Sequence, residues 1–301
     1  MDNFIQLTIS GLSLGSLFAL VAIGFAILLK ATGHFNLLPG ALVMLGAYLT
    51  YQFHVVWGWT FFFSVIGAVV LCSLLGLVLD RLLFNGLGGK GHSAIEHLAV
   101  LLVSMGMLSI VQALVVSIWT SNTFLINDPW GLSVVRWGSI SIAQRDIWSL
   151  GLALILLTIF YFVIQKTNVG VGMRALAEDP EAARAQGINP RTVGVAAWMM
   201  CGSASVLAGV MLATEIGGGL VPTLDQIAFT ALPALIIGGI GSLPGCIYGG
   251  LALGLIQTFA AGYAGNAFGQ GFATAVPWAV LILLLVLRPS GLAKSLETRK
   301  A

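Results

Sequence analysis

Charge is what this sequence has least of. Asp, Glu, Lys and Arg make up 8% of its 301 residues and the hydrophobic set 58%, whereas soluble domains carry roughly 25% charged residues. That scarcity excludes a soluble fold, because a chain of this length has too few charges to cover its own surface. The expectation is an integral membrane protein whose helices satisfy their own backbone groups in lipid. No long polar block is present, so there is no room for a soluble catalytic domain. Cysteine is scarce as well. Cys72, Cys201 and Cys246 all sit inside apolar runs and read as small buried residues, not as a disulfide set or metal site. The four histidines, His34, His54, His92 and His97, show no metal spacing linked to carboxylates. The net charge of +2 gives no reason to expect a nucleic acid partner.

Nucleotide-binding signatures are absent too. Lys90 lies in GLGGKGHS, but a phosphate loop requires glycine where Phe84 stands and Ser or Thr where Gly91 stands. Gly170, Gly172 and Ala175 mimic a dinucleotide fingerprint without a surrounding βαβ unit. No Ser-His-Asp order stands out, so an enzyme is not expected. No apolar run holds a charged residue at its centre, whereas proton- and sodium-coupled carriers place ionisable groups deep in the membrane. A transport protein of this kind must borrow its energy from elsewhere.

What is present is a series of apolar runs and 38 glycines, the latter suited to close helix packing in lipid. The runs are Phe4–Leu29, Leu37–Phe53, Phe61–Leu83, Leu98–Trp119, Ile147–Ile164, Val193–Thr214, Ala228–Ile240, Gly245–Ala261 and Val276–Leu287. The first is long enough to span, and with Asp2 in place of a basic leader it is expected to be a span, not a cleaved signal. The fold expected is all-α, a single polytopic membrane domain over residues 1–301 with about 8–9 transmembrane helices and short connections. Val134 to Ile142 alternates loosely and predicts a small hairpin around Gly138. Pro233 breaks the seventh run, and Gly238, Gly239 and Gly241 follow it. Leu38-Pro39-Gly40-Ala41 and Leu243-Pro244-Gly245-Cys246 start the second and eighth runs alike. In a glycine-rich chain that echo is read as coincidence.

Orientation follows from counting basic residues. With the N-terminus outside and nine crossings, Lys30, Arg81, Lys90, Lys166, Arg174, Arg184, Arg191, Arg288, Lys294, Arg299 and Lys300 fall inside, against Arg136 and Arg145 outside. This is a strong positive-inside bias. Glu215 and Asp225 then face outside, as ordinary solvated loop charges near the mouth.

The longest polar segment is GVGMRALAEDPEAARAQGIN, Gly170 to Asn189. Asp179 is a good N-cap, Pro180 suits the first helical position, and Glu181 suits the helix dipole. Gly187 is where a C-terminal cap belongs. The segment is read as a short helical hairpin within residues 165–191, on the cytoplasmic side. About two turns of helix carry a surface of Ala182, Ala183 and Ala185, small enough for close approach by a partner protein. A plain solvated loop is the alternative of equal weight.

GMRALAEDPEAARAQGINPRTV together with ALIIGGIGSLPGCIYGGLALGLIQ resembles the LivH-type permease subunits of ATP-binding-cassette importers. ISGLSLGSLFALVAIGFAILLK at residues 9–30 and VMLGAY at 43–48 fit the same family, so the resemblance covers nearly the whole chain. It implies a permease of the bacterial inner membrane that imports branched-chain amino acids or a related small organic solute. It also implies a second, LivM-like permease, two cytoplasmic ATP-binding subunits and an extracytoplasmic substrate-binding protein. No cofactor is then expected in this chain, since ATP is used by the partner subunits. Arg174, Glu178, Asp179, Ala182, Gly187 and Asn189 fall on typical positions of the family's coupling segment, which docks on an ATPase groove. Family members commonly read close to Asn-Phe-Ala-His-Gly-Glu at the start of the second run. Here Asn36 is kept and Leu37 to Ala41 follow, which makes the path more apolar. The polar groups within or near spans are Asn36, Gln112, Thr230 and Gln257, candidates for the substrate path. For each, an interhelical hydrogen bond is the simpler reading. The competing function is an ATP-independent channel or facilitator for small polar solutes such as urea or amides, which leaves the capped hairpin without a task.

Overall fold

The computed structural model describes residues 2–79, 81, 94–131, 133–137, 140–215, 219–239, 242–265, 269 and 271–287. The GLGGKGHS segment, Gly138, Gly217, Gly218 and the basic tail from Arg288 lie outside the described residues, as does the Glu215 side chain.

In chain order the helices are α1 (Asp2–Thr32), α2 (Leu38–Tyr51), α3 (Phe61–Leu79) and α4 (Ala94–Trp119). The strands β1 (Val134–Trp137) and β2 (Ile140–Ala143) follow. Then come α5 (Gln144–Lys166), α6 (Asn168–Glu178), α7 (Pro180–Ala185) and α8 (Pro190–Glu215). The last are α9 (Leu224–Phe229), α10 (Leu232–Ile237), α11 (Leu243–Phe259) and α12 (Phe272–Leu287). Wider π-type turns extend α2 over Gln52–Val56 and α11 over Ala260–Ala264. The expected hairpin is present, with Val134 opposite Ala143 and Trp137 opposite Ile140.

Among the described residues, six helices are long and apolar enough to cross a membrane: Asn3–Thr32, Phe61–Leu79, Leu98–Trp119, Gln144–Lys166, Pro190–Thr214 and Leu243–Ala264. The second, seventh and ninth runs make shorter helices. The seventh starts earlier than the sequence suggests, at Leu224, and consists of two six-residue helices, α9 and α10. Each is roughly 9 Å long. Backbone bonds from Thr230 and Ala231 close on Ile227 and Ala228 in tighter three-residue turns, so the chain pauses between them.

The centre is built on α1 and α8. In the most apolar stretch of each, 83% and 72% of residues are buried, against 17–28% in α3, α4 and α5. Glycine lets neighbours come this close. A Cβ on Gly250 would meet Ala19, and one on Gly254 would overlap the backbone of Gly15. On α8, Gly209 abuts the Val43 backbone of α2, and Gly202 abuts Ser73 of α3. The contacts are dispersion and close backbone approach, the forces that remain when lipid removes the hydrophobic drive between helices. Cys72, Cys201 and Cys246 are all buried and free, as expected. By contrast α3 shows Phe62, Phe63, Ile66 and Val70 on its outer surface, and α4 shows Leu102, Ile110, Leu114 and Ile118. An apolar surface of that extent belongs against lipid or another membrane helix.

The runs join two end layers. At one end Leu7 meets Gly262, the Tyr51 ring lies tilted against Phe124, Phe124 bridges to Leu220, and Arg145 reaches the Thr214 carbonyl. At the other, Ile164, Arg174, Ile188 and Val193 gather around Gly170 and Gly172. Gly238 abuts Gly245 toward the start of α11, which runs antiparallel to α1. These are called below the Arg145 end and the Arg174 end.

Candidate functional site

Two places carry polar groups on purpose-built backbone. The first is the α6–α7 platform at the Arg174 end. Thr167 starts α6, its hydroxyl accepting from the Gly170 amide at 3.4 Å. The helix is amphipathic and buries Gly170, Gly172, Met173 and Leu176, packing on α1, α5 and α8. Gly170 touches the Ile164 carbonyl so closely that no side chain fits.

The Asp179 backbone then leaves the helix with φ −151° and ψ 100°. Its carboxylate oxygen accepts from the amides of Glu181 at 2.9 Å and Ala182 at 3.0 Å, and Pro180 occupies the first helical turn. A cap of this kind is worth about 1 kcal/mol. Gly187 ends α7 in the left-handed region at φ +84°, its amide donating to Arg184 at 3.0 Å while the Ile188 amide reaches Ala183 at 3.1 Å. The start and stop signals read from the sequence are therefore the ones the backbone uses. Among the alanines, Ala182 and Ala185 are exposed, but Ala183 is buried and holds α7 down.

The six coupling candidates divide by what they touch. Arg174 donates to the Ile164 carbonyl at 2.6 Å and lies 3.4 Å from Gln165 Oε1, so it secures the end of α5. Asp179 and Gly187 are the caps just described. Asn189 accepts from the Arg191 amide at 3.0 Å at the start of α8. Glu178 and Ala182 are exposed beside Glu181 and Arg184. Four of the six thus shape the platform, and two lie on its open surface.

The second place is the interruption between α9 and α10. Phe25 of α1 stacks on Phe35 at 6.1 Å and faces Phe229 at 6.4 Å. A Cβ on Gly40 would lie 2.9 Å from the Phe229 ring. The start of α2 therefore lies at the level of Phe25, seven residues before Thr32 and roughly 10 Å inside the end of α1. Asn36 is 6% exposed and accepts from the Leu38 amide at 2.9 Å, a tight turn that leads into α2. At the far side of the same run, Gly238 packs on the backbone of Gly245. The two Leu-Pro-Gly helix starts thus bracket the broken run, one at each of its short helices. Their likeness has a structural counterpart that the sequence alone did not reveal.

The four path candidates do not converge. Asn36 and Thr230 share the Phe229 neighbourhood, the Thr230 hydroxyl donating back to the Ile227 carbonyl at 2.6 Å. Gln112 is on α4 and half-buried. Gln257 is on α11, close in sequence to Leu255, which packs on Gly11 of α1. Its Oε1 is buried without a partner among the described residues.

Asp225 corrects an expectation. It is not a solvated loop charge: it stands in the first turn of α9, is 2% exposed, and its Oδ1 has no partner among the described residues. Asp146, in the first turn of α5 and 6% exposed, is likewise inside. It accepts from the Ser10 hydroxyl at 2.7 Å and lies 3.8 Å from Arg145 Nε. Arg145 donates to the Thr214 carbonyl at 3.0 Å, so this cluster ties α1, α5 and α8 at the Arg145 end. Beside it Asn3, Gln6, Leu7, Ser10 and Gly262 line a cavity of about 250 Å³. The signal for Asp225 was its place four residues before Phe229 in LDQIAF, one helical turn along the same face. A run defined by hydrophobicity alone begins after it.

Residues 7–287 match the family model described as the permease component of branched-chain amino acid transport systems. The chain belongs to that permease family. It is 29% identical to the high-affinity branched-chain amino acid transport system permease protein LivH of Escherichia coli K12, over 99% of this chain and 97% of the relative. It is 27% identical to the permease protein BraD of Pseudomonas aeruginosa, over 99% and 98%. It is 23% identical to the probable LivH of Methanocaldococcus jannaschii, over 92% and 88%. Among solved structures it resembles PsaBC from Streptococcus pneumoniae, with a TM-score of 0.51 and 16% identity over 95% of this chain and 92% of that one. That likeness concerns the fold. The chain is an all-α membrane permease of the ATP-binding-cassette type and not an enzyme, which implies ATP-binding and substrate-binding partners.

Proposed function

We propose that this permease carries branched-chain amino acids, or a closely related small organic solute, and is driven through the α6–α7 platform. The observation that carries the reading is α7 itself. It is capped at both ends, with Ala183 buried and Glu181, Ala182, Arg184 and Ala185 exposed, on a base clamped to α1, α5 and α8. A rigid knob on a rigid base transmits displacement, whereas a loop absorbs it. Glu178, Glu181, Ala182 and Arg184 form the contact surface for an ATP-binding subunit. Closure of two such subunits on ATP moves the platform, and because α6 packs on the two central helices, the movement reaches the broken run.

In this reading the Arg174 end is cytoplasmic and the N-terminus is outside. The described basic residues support it: Lys30, Arg81, Lys166, Arg174, Arg184 and Arg191 gather at that end, against Arg136 and Arg145 at the other. A LivM-like second permease completes the path, and a binding protein delivers solute at the Arg145 end. The names of LivH and BraD support the substrate class.

The test is Ala182→Arg in the complex assembled with its ATP-binding subunits. The variant is expected to abolish solute uptake and solute-stimulated ATP hydrolysis while the permease keeps its Tm. Normal uptake would show that α7 docks nothing. A facilitator that works alone predicts flux through the isolated permease without ATP, and the same vesicles test for it.

A further inference from the structure

We propose that Asp225 is a specificity-determining residue of the path, its carboxylate receiving the ammonium group of a zwitterionic solute. The inference rests on the permease reading above and adds a residue and a chemical demand to it. Asp225 and Phe229 share one face of α9, four residues apart. Phe229 lies on Gly40 at the start of α2, so that face is the one turned to α2, and Asp225 lies one turn toward the Arg145 end. There the carboxylate is 2% exposed with Oδ1 unpartnered among the described residues. A buried carboxylate oxygen without a donor is costly, and an ionisable side chain kept inside a membrane domain marks a solute or ion route.

The surroundings select among cations. The described residues hold no group of three His, Cys, Asp or Glu that suits a metal ion. A primary ammonium needs only one carboxylate and acceptors nearby, with apolar walls for the rest of the molecule. Beyond the Phe229 ring, which lies on Gly40, the start of α2 presents the positive end of its dipole beside Asn36. Opposite charge there suits the two ends of an α-amino acid and does not suit urea or a simple amide. The carboxylate is enclosed in the present arrangement. It becomes reachable when α9 parts from α2, which the pause at Thr230 and Ala231 allows without breaking a long helix.

The experiment is uptake of radiolabelled leucine by vesicles holding the whole importer, with Asp225→Asn, Asp225→Leu and Asp225→Glu. Asn and Leu are expected to lower leucine uptake and leucine-stimulated ATP hydrolysis roughly tenfold or more while the complex still assembles, and Glu is expected to keep part of both. Wild-type uptake in the Asn or Leu variant would overturn the assignment and leave the permease reading intact. Failure of both variants to assemble would also overturn it, marking Asp225 as a structural group. Absence of leucine uptake by the wild-type complex would overturn the proposed substrate class and the ammonium site together.

Discussion

The seam between α1 and α11 and the platform of α6 and α7 are both rich in small residues, yet they use them in opposite ways. In the seam, Gly15, Ala19, Gly250 and Gly254 face each other so closely that backbones touch. On the platform, Ala182 and Ala185 are exposed. Small size means close packing in the first case and an unfilled contact surface in the second. The difference shows that composition gives the type of surface and that only the neighbour gives its use.

Substitutions sharpen the contrast. The largest effect is expected from Gly254→Val, because a branched side chain meets the Gly15 backbone. Overpacking costs ~3 kcal/mol or more where no flexible atom can yield, and the measurement is the yield and Tm of purified permease. If the variant folds at wild-type Tm, the seam is looser than described. Next is Arg145→Ala, which frees the Thr214 carbonyl and leaves Asp146 with Ser10 alone. A loss of ~2 kcal/mol is expected, read as a lower Tm.

Asp179→Ala removes two accepted hydrogen bonds on an exposed turn. It is expected to cost about 1 kcal/mol, too little to move Tm much, but to lower coupled ATP hydrolysis as α7 frays. Asp179→Ser, which restores a cap, should recover most of it. The smallest stability change is expected for Ala182→Ser, within about 0.5 kcal/mol. A large drop in Tm there would mean that α7 is packed against its own chain and is no docking surface.

Much of this was legible beforehand where the determinants are local. The caps at Asp179, Pro180 and Gly187 act on amides within three residues, and the β hairpin alternates within one stretch. The long spans announce themselves by length and apolarity. The hold of Arg174 on the Ile164 carbonyl was not legible, because that partner belongs to the preceding helix and no side-chain pattern marks a carbonyl. Asp225 was misplaced because its burial depends on α2, far back along the chain, and a lone acid beside Pro222 reads locally as loop. Of the path candidates, Asn36 and Thr230 lie next to Phe35 and Phe229, which both face Phe25, a meeting of three separate segments.

The amino-acid order by itself determined that this chain lives in lipid, where its long spans lie, and that a capped polar hairpin follows α5. These properties depend on side-chain solvation and on hydrogen bonds between near neighbours. Which small residues become a seam, which carboxylate is enclosed, and that two alike helix starts grip one broken run were decided only by the tertiary structure. Those outcomes depend on distances between segments that the chain brings together only when the bundle closes.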